Sequence, residues 1–246
     1  MFASVRRITR LSVVISCAAL VLAACDIHTG PAGPGPGPGP GPGPGPTGPS
    51  LGAAQSYGIL AGSTVTCVGP GSILADLGLS PGSAVTGFPT CTISGTQNVA
   101  NAVALAAQSD LTVAYNSLAG RACGTTISAD LGGTTLAPGV YCSTSSAGLT
   151  GTVTLDGQGN TNATFVIQVA SALTVAGSVN LIGGAQAKNV WWQIGSSATI
   201  GGGSAMKGNV VAFTTITLND NATLLGRALA RNGAVTLGSN NTITLP

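Results

Sequence analysis

The sequence predicts a mainly β protein, an irregular β-solenoid with one long α-helix packed alongside. Three observations predict it. A short phrase recurs in the C-terminal half as Ala172-Leu173-Thr174-Val175, Ala198-Thr199-Ile200, Thr215-Ile216-Thr217-Leu218 and Ala234-Val235-Thr236-Leu237. Recurrence of a phrase at this scale is the signature of stacked coils. Its central threonines stand 25, 18 and 19 residues apart, so each coil carries its own loop length. Most of residues 51–246 is written in short alternating runs of Val, Ile and Thr broken by Gly and Ser, the pattern of strands and turns. One segment, about residues 97–119, breaks that pattern with alanine-rich helical spacing.

Of the 246 residues, the first 24 read as a signal peptide rather than as fold. Arg6, Arg7 and Arg10 precede an apolar run from Leu11 to Ala24. The ending Leu22-Ala23-Ala24-Cys25 resembles a bacterial lipobox, which implies cleavage before Cys25 and a lipid on its sulfur. Ordinary cleavage after Ala24 is the alternative. Residues 25–50 follow as a tether, dominated by alternating Gly and Pro. Proline keeps such a chain extended and glycine keeps it from packing. The period of two is not the Gly-X-Y of collagen. The expected product is an exported, membrane-anchored lipoprotein of the cell envelope.

Residues 51–246 form one domain, long enough to bury a sizeable core. Charge there is sparse and balanced: Arg121, Lys188, Lys207, Arg227 and Arg231 against Asp76, Asp110, Asp130, Asp156 and Asp220. With no basic stripe, nucleic acid is excluded as a partner. No further segment is long and apolar enough to cross a membrane as a helix. In an exported chain Cys67, Cys91, Cys123 and Cys142 are expected to pair. Three pairings are possible, and the sequence-local one, Cys67–Cys91 with Cys123–Cys142, is favoured. A metal site is disfavoured, because no Cys-x-x-Cys occurs and the single histidine, His28, lies before the domain.

Along the domain, Ile73-Leu74-Ala75-Asp76-Leu77-Gly78 is echoed by Ile127-Ser128-Ala129-Asp130-Leu131-Gly132. Coil-like units therefore stand on both sides of the helix, and the two aspartates are expected to serve turns. Within the helix, Ala100, Val103, Ala107, Leu111, Ala114 and Leu118 form the expected buried stripe. Ser94 with Gln97, or Thr96, is the expected cap, and Gly120 the stop.

The coils sort into three faces. One reads Phe165-Val166-Ile167-Gln168-Val169, Val190-Trp191-Trp192-Gln193-Ile194 and Val210-Val211-Ala212-Phe213. It is apolar on both sides, as a strand covered on both sides must be, and the helix is its natural cover. The second is the threonine phrase. The third, around Ser178-Val179-Asn180-Leu181, Ala222-Thr223-Leu224 and Thr242-Ile243-Thr244-Leu245, is polar outside. In the second face alternation turns Leu173, Val175, Ile200, Ile216, Leu218, Val235 and Leu237 inward. Thr174, Thr199, Thr217 and Thr236 then form an exposed ladder, with Ser197 and Thr215 beside it. Residues 59–66 echo 229–236, which adds Thr64 and Thr66; Thr152 and Thr154 supply a further expected rung.

Taken together, the chain resembles the widespread microbial ice-binding protein family over essentially all of 51–246. The residues that carry the likeness are Leu51-Gly52-Ala53-Ala54-Gln55-Ser56-Tyr57, Ala119-Gly120-Arg121 before Cys123, and Leu136-Ala137-Pro138-Gly139-Val140-Tyr141-Cys142. Asn189-Val190-Trp191-Trp192-Gln193-Ile194-Gly195 and Gly226-Arg227-Ala228-Leu229-Ala230 complete it. The resemblance implies a right-handed solenoid of triangular section, and ice as the partner of one flat face. A monomer without cofactor is expected. The ladder residues Thr64, Thr66, Thr152, Thr154, Thr174, Ser197, Thr199, Thr215, Thr217 and Thr236 are the candidate ice contacts. Ala172, Ala176, Gly201, Asn219, Ala234 and Gly238 leave the neighbouring columns incomplete.

Two other classes compete. A surface adhesin or polysaccharide binder suits an anchored chain, but it usually shows an aromatic platform. Trp191 and Trp192 are the only tryptophans, and alternation buries at least one. An enzyme is disfavoured: the domain has no His and no Glu, its aspartates are scattered, and no nucleophile–base pair is visible.

Overall fold

The computed structural model describes residues 47–246. The signal peptide, Cys25, His28 and the Gly-Pro tether up to residue 46 lie outside the described residues. The domain begins with β1 (Tyr57–Ala61), β2 (Thr64–Cys67) and β3 (Gly71–Leu74), one strand per face of a first coil. A second coil follows as β4 (Asp76–Leu79), β5 (Ala84–Thr86) and β6 (Cys91–Ile93), and β7 (Gln97–Val99) opens a third. The chain then leaves the stack as α1 (Ala102–Ala119). It re-enters through β8 (Thr125–Thr126) and β9 (Thr135–Leu136). Next come β10 (Gly139–Ser143), β11 (Ala147–Asp156), β12 (Phe165–Val169) and β13 (Leu173–Ile182). The last coils comprise β14 (Val190–Ile194), β15 (Ala198–Ile200), β16 (Ala205–Ala212), β17 (Ile216–Leu218), β18 (Thr223–Ala230), β19 (Val235–Leu237) and β20 (Asn241–Thr244).

Every ladder joining these strands is parallel, as coils wound in one direction require. Three faces result. The helix face stacks β8, β10, β12, β14, the end of β16, the end of β18, β1, β4 and β7. The threonine face stacks the start of β11, the start of β13, β15, β17, β19, β2 and β5. The third face holds β9, the end of β11, the end of β13, the starts of β16 and β18, β20, β3 and β6.

The stacking order is not the chain order. The C-terminal coil pairs with the first one, through β18–β1, β19–β2 and β20–β3. The helix makes this possible by carrying the chain from β7 to the far end of the stack at β8. The echo between residues 59–66 and 229–236 thus marks two neighbouring coils. Their register shifts by one residue between Leu60↔Leu229 and Val65↔Val235.

The core lies inside the coils. Leu149, Val153, Phe165, Ile167, Val175, Trp192, Ile200, Ile216, Val235 and Ile243 are among its sealed residues. A second apolar layer lies between solenoid and helix. Ala107, Leu111, Ala114, Tyr115 and Leu118 of α1 pack there on Tyr57, Leu60, Val166, Trp191, Val211 and Leu229. That second cover is why the strands of the helix face are apolar on both sides, and why Trp191 is buried as well as Trp192.

The helix differs from its expected bounds at the start. Residues 97–99 pair with β4 as a strand, and the cap is Asn101, whose Oδ1 accepts from the Ala104 N–H at 2.9 Å. Ala100 lies before the helix and Val103 is 55 % exposed, so neither belongs to the buried stripe. Their places are taken by Ala104, Gln108 and Tyr115, two of them polar. Gln108 Nε2 donates to Ala230 O, and Tyr115 Oη donates to Ile194 O and accepts from Gln193 Nε2. Polar anchors of this kind are invisible to a hydrophobic-period argument. At the other end Gly120 caps the helix as expected, its N–H reaching Asn116 O. Both sequence-local disulfides, Cys67–Cys91 and Cys123–Cys142, are formed.

Candidate functional site

The threonine face is built by short strand segments whose central residues face solvent and whose flanking residues face the core. In β15, β17 and β19 the pattern is buried, half-buried, buried. The β-branch of Thr suits a strand and restricts χ1 there. The ladders bring the central residues into one column: Thr174↔Thr199, Thr199↔Thr217, Thr217↔Thr236, Thr236↔Thr66 and Thr66↔Thr86. Adjacent rungs are separated by about 4.8 Å, the spacing of hydrogen-bonded strands. The rung beyond Thr174 is Gly148, which ends the column.

Thr86 extends the ladder beyond the expected set. Its hydroxyl donates to Thr66 Oγ1 at 3.3 Å. The signal was present in Ala84-Val85-Thr86, which repeats the alternation of Thr64-Val65-Thr66 twenty residues later.

A second column runs beside the first, two residues earlier on each strand and about 6.7 Å away along the strand. By the same register it holds Ala172, Ser197, Thr215, Ala234, Thr64 and Ala84. On the other side stand Ala176, Gly201, Asn219, Gly238 and Val68. Where those side chains are small a shallow trough opens beside Thr217 and Thr236, bordered by Asn219, Asp220 and Val68. None of the outward positions in these columns is charged.

Thr152 and Thr154 do not join this face, contrary to expectation. They pair with Ser178 and Asn180, on the third face, and Thr152 Oγ1 lies 3.0 Å from Ser178 Oγ. The reason is the corner at Gly151, where φ is +84°. Its neighbour in the next coil, Gly177, would place a Cβ 1.7 Å from the Gly151 carbonyl oxygen. The strand β11 continues through that corner without a break, so alternation alone does not reveal the change of face.

Each acidic residue of the domain accepts a backbone N–H through its carboxylate, Asp110 from within helix α1. Asp76 accepts from Thr96 N, Asp110 from Ala53 N, Asp156 from Gln158 N and Asp220 from Ser239 N, at 2.7, 2.7, 2.9 and 2.7 Å. Asp130 accepts from Gly132 N and Thr150 N at 2.8 and 2.9 Å. The Gly132 amide, then that of Thr150, holds the Asp130 carboxyl below the usual carboxylate range. Among the described residues no cluster of three or more His, Cys, Asp or Glu could hold a metal.

A parallel solenoid that presents an uncharged, in-register threonine array belongs to the class of solenoids with one flat, regular outer face. The comparisons give the family within that class. Residues 59–244 match the model described as Ice-binding-like, and the chain belongs to that family. It is 48% identical over 193 residues to an ice-binding protein of Nostoc sp. (strain HG1), spanning 77% of this chain and 72% of that one. It is 34% identical over 224 residues to an ice-binding protein of Flavobacterium frigoris (strain PS1), spanning 80% and 76%. Among solved structures, an ice binding protein from an Antarctic biological consortium superposes with a TM-score of 0.80 at 48% identity, over 82% of this chain and 92% of that one. The ice-binding protein of the ascomycete Antarctomyces psychrotrophicus superposes at 0.79 with 38% identity, over 81% and 99%. The chain is a binding protein, not an enzyme.

Proposed function

We propose that this protein adsorbs to ice through the threonine face. The observation that carries the reading is the unbroken column Thr174, Thr199, Thr217, Thr236, Thr66 and Thr86, flanked by Ser197, Thr215 and Thr64. Repeats of about 4.8 Å across coils and 6.7 Å along strands let such an array order water in a lattice-like pattern. Threonine offers a hydroxyl and a methyl, and its stiff χ1 limits the entropy lost on contact. Charged groups, which hold their own hydration firmly, are missing from these columns. Burial of both tryptophans removes the aromatic platform that a sugar binder would use.

The same reading makes the protein an exported monomer, held by a lipid on Cys25 through its Gly-Pro tether. In that form it limits ice growth or recrystallisation near the envelope, or holds the cell to ice. Ice-affinity partitioning of the purified chain against an inert protein tests the binding. Enrichment in the ice fraction is expected. Exclusion of a well-folded chain would sink the proposal and turn attention to glycans.

A further inference from the structure

Where β14 and β18 meet the residues that lead into the domain, there is an open cleft of about 250 Å³. Ser50, Gln55, Lys188, Asn189, Trp191 and Arg227 line it. Two of these side chains are cationic and none is acidic.

Arg227 is only 8% exposed, yet its hydrogen-bond partners are neutral. Nε and Nη2 donate to Gln55 O at 3.1 and 2.8 Å, and Nη1 donates to Asn209 Oδ1 at 2.8 Å. The Asn209 amide cannot turn away, because its Nδ2 donates to the carbonyls of Lys188 and Val190, each at 3.1 Å. The guanidinium is therefore held in a fixed plane with two of its five N–H donors unused. Among the described residues no carboxylate pairs with this buried cation, which is costly, and desolvation lowers the Arg227 pKa accordingly. Lys188 stands exposed at the rim. The indole N–H of Trp191, in the cleft wall, is buried with no partner among the described residues. A planar, pre-set guanidinium in the same cleft as a rim ammonium fits an oxyanion, which would supply the missing negative charge.

We propose that this cleft binds a small oxyanion, a phosphate or carboxylate, between Arg227 and Lys188. The site is separate from the threonine face. Pro49 and Ser50 form one side of it, so it sits where the chain enters the domain. The same chemistry can be presented by a lipid headgroup or by a free anion.

The test is a fluorescence titration of the full exported chain carrying Cys25→Ser, so that no lipid is attached. Trp192 is sealed in the core and donates to Lys207 O, so Trp191 is the responsive tryptophan. Inorganic phosphate is added at constant ionic strength against sodium chloride. A saturable change with a midpoint of roughly 1–10 mM is expected. Lys188→Gln should raise that midpoint about three-fold or more, since a rim charge is removed while the fold is untouched. A response no different from that of chloride overturns the proposal, as does a midpoint that Lys188→Gln leaves unchanged. Co-sedimentation with phosphatidylglycerol vesicles, reversed by phosphate, would assign the anion to a headgroup. Saturation by phosphate without vesicle binding would assign it to a soluble ligand.

Discussion

At the scale of single residues, the threonine column gives the sharpest test. Thr199 and Thr217 sit mid-column with neighbours on both sides. A tyrosine at either position projects beyond the array and breaks its fit, while the inward Ile200, Ile216 and Leu218 stay sealed. Thr199→Tyr or Thr217→Tyr is expected to abolish ice partitioning with an unchanged circular dichroism spectrum. Unchanged partitioning by folded variants would remove this face from the proposal. Asp130 gives a second residue-level prediction. Its carboxyl is lowered by the amides of Gly132 and Thr150. Its contribution to stability is therefore present above the unfolded value near 3.9 and lost as pH falls through the lower folded one. Asp130→Asn should lower Tm at neutral pH, with the gap to the parent closing below about pH 4. A gap that stays constant from pH 7 to pH 2 would contradict this role.

At the scale of elements, the helix is held by packing more than by its own signals. Leu111 is sealed between α1 and the helix face, so Leu111→Ala should cost about 2–5 kcal/mol in urea unfolding. The Asn101 cap is expected to be worth about 1 kcal/mol, read from Asn101→Ala. Leu111, Ala114 and Leu118 were legible as a stripe because their spacing is helical. Gln108 and Tyr115 were not, because their partners are carbonyl and amide groups of strands far away in sequence. The strands of the threonine face were legible for the opposite reason: each is short, alternates strictly and repeats its phrase. In β11 the same reasoning failed at Thr152, since a strand that rounds a glycine corner keeps its alternation while changing face.

At the scale of the whole molecule, the first coil docks on the last inside the stack, with the second coil and β7 beyond it. Strands β1, β2 and β3 bury against β18, β19 and β20, so neither chain end of the domain is an independent unit. One cooperative transition is expected. Urea curves from tryptophan fluorescence, which reports β14, and from far-ultraviolet circular dichroism, which reports all coils, should superimpose. An early dichroism change that precedes the fluorescence change would mean that the junction of first and last coils melts separately.

The amino-acid sequence by itself determined the solenoid, the helix that interrupts it, the sorting into three faces and the threonine ladder from Thr174 to Thr236. Those features rest on local alternation and on repeats, which are written directly into the order of residues. Only the tertiary structure decided that Thr86 continues the column, that Thr152 and Thr154 leave it, and that the tether side of the domain carries a cationic cleft. Each of these depends on how far the chain turns at a corner or on which distant coil becomes its neighbour. Such quantities are set by closure of the stack: the echo of Thr64-Val65-Thr66 in Ala84-Val85-Thr86 marks a coil without saying which coil lies beside it.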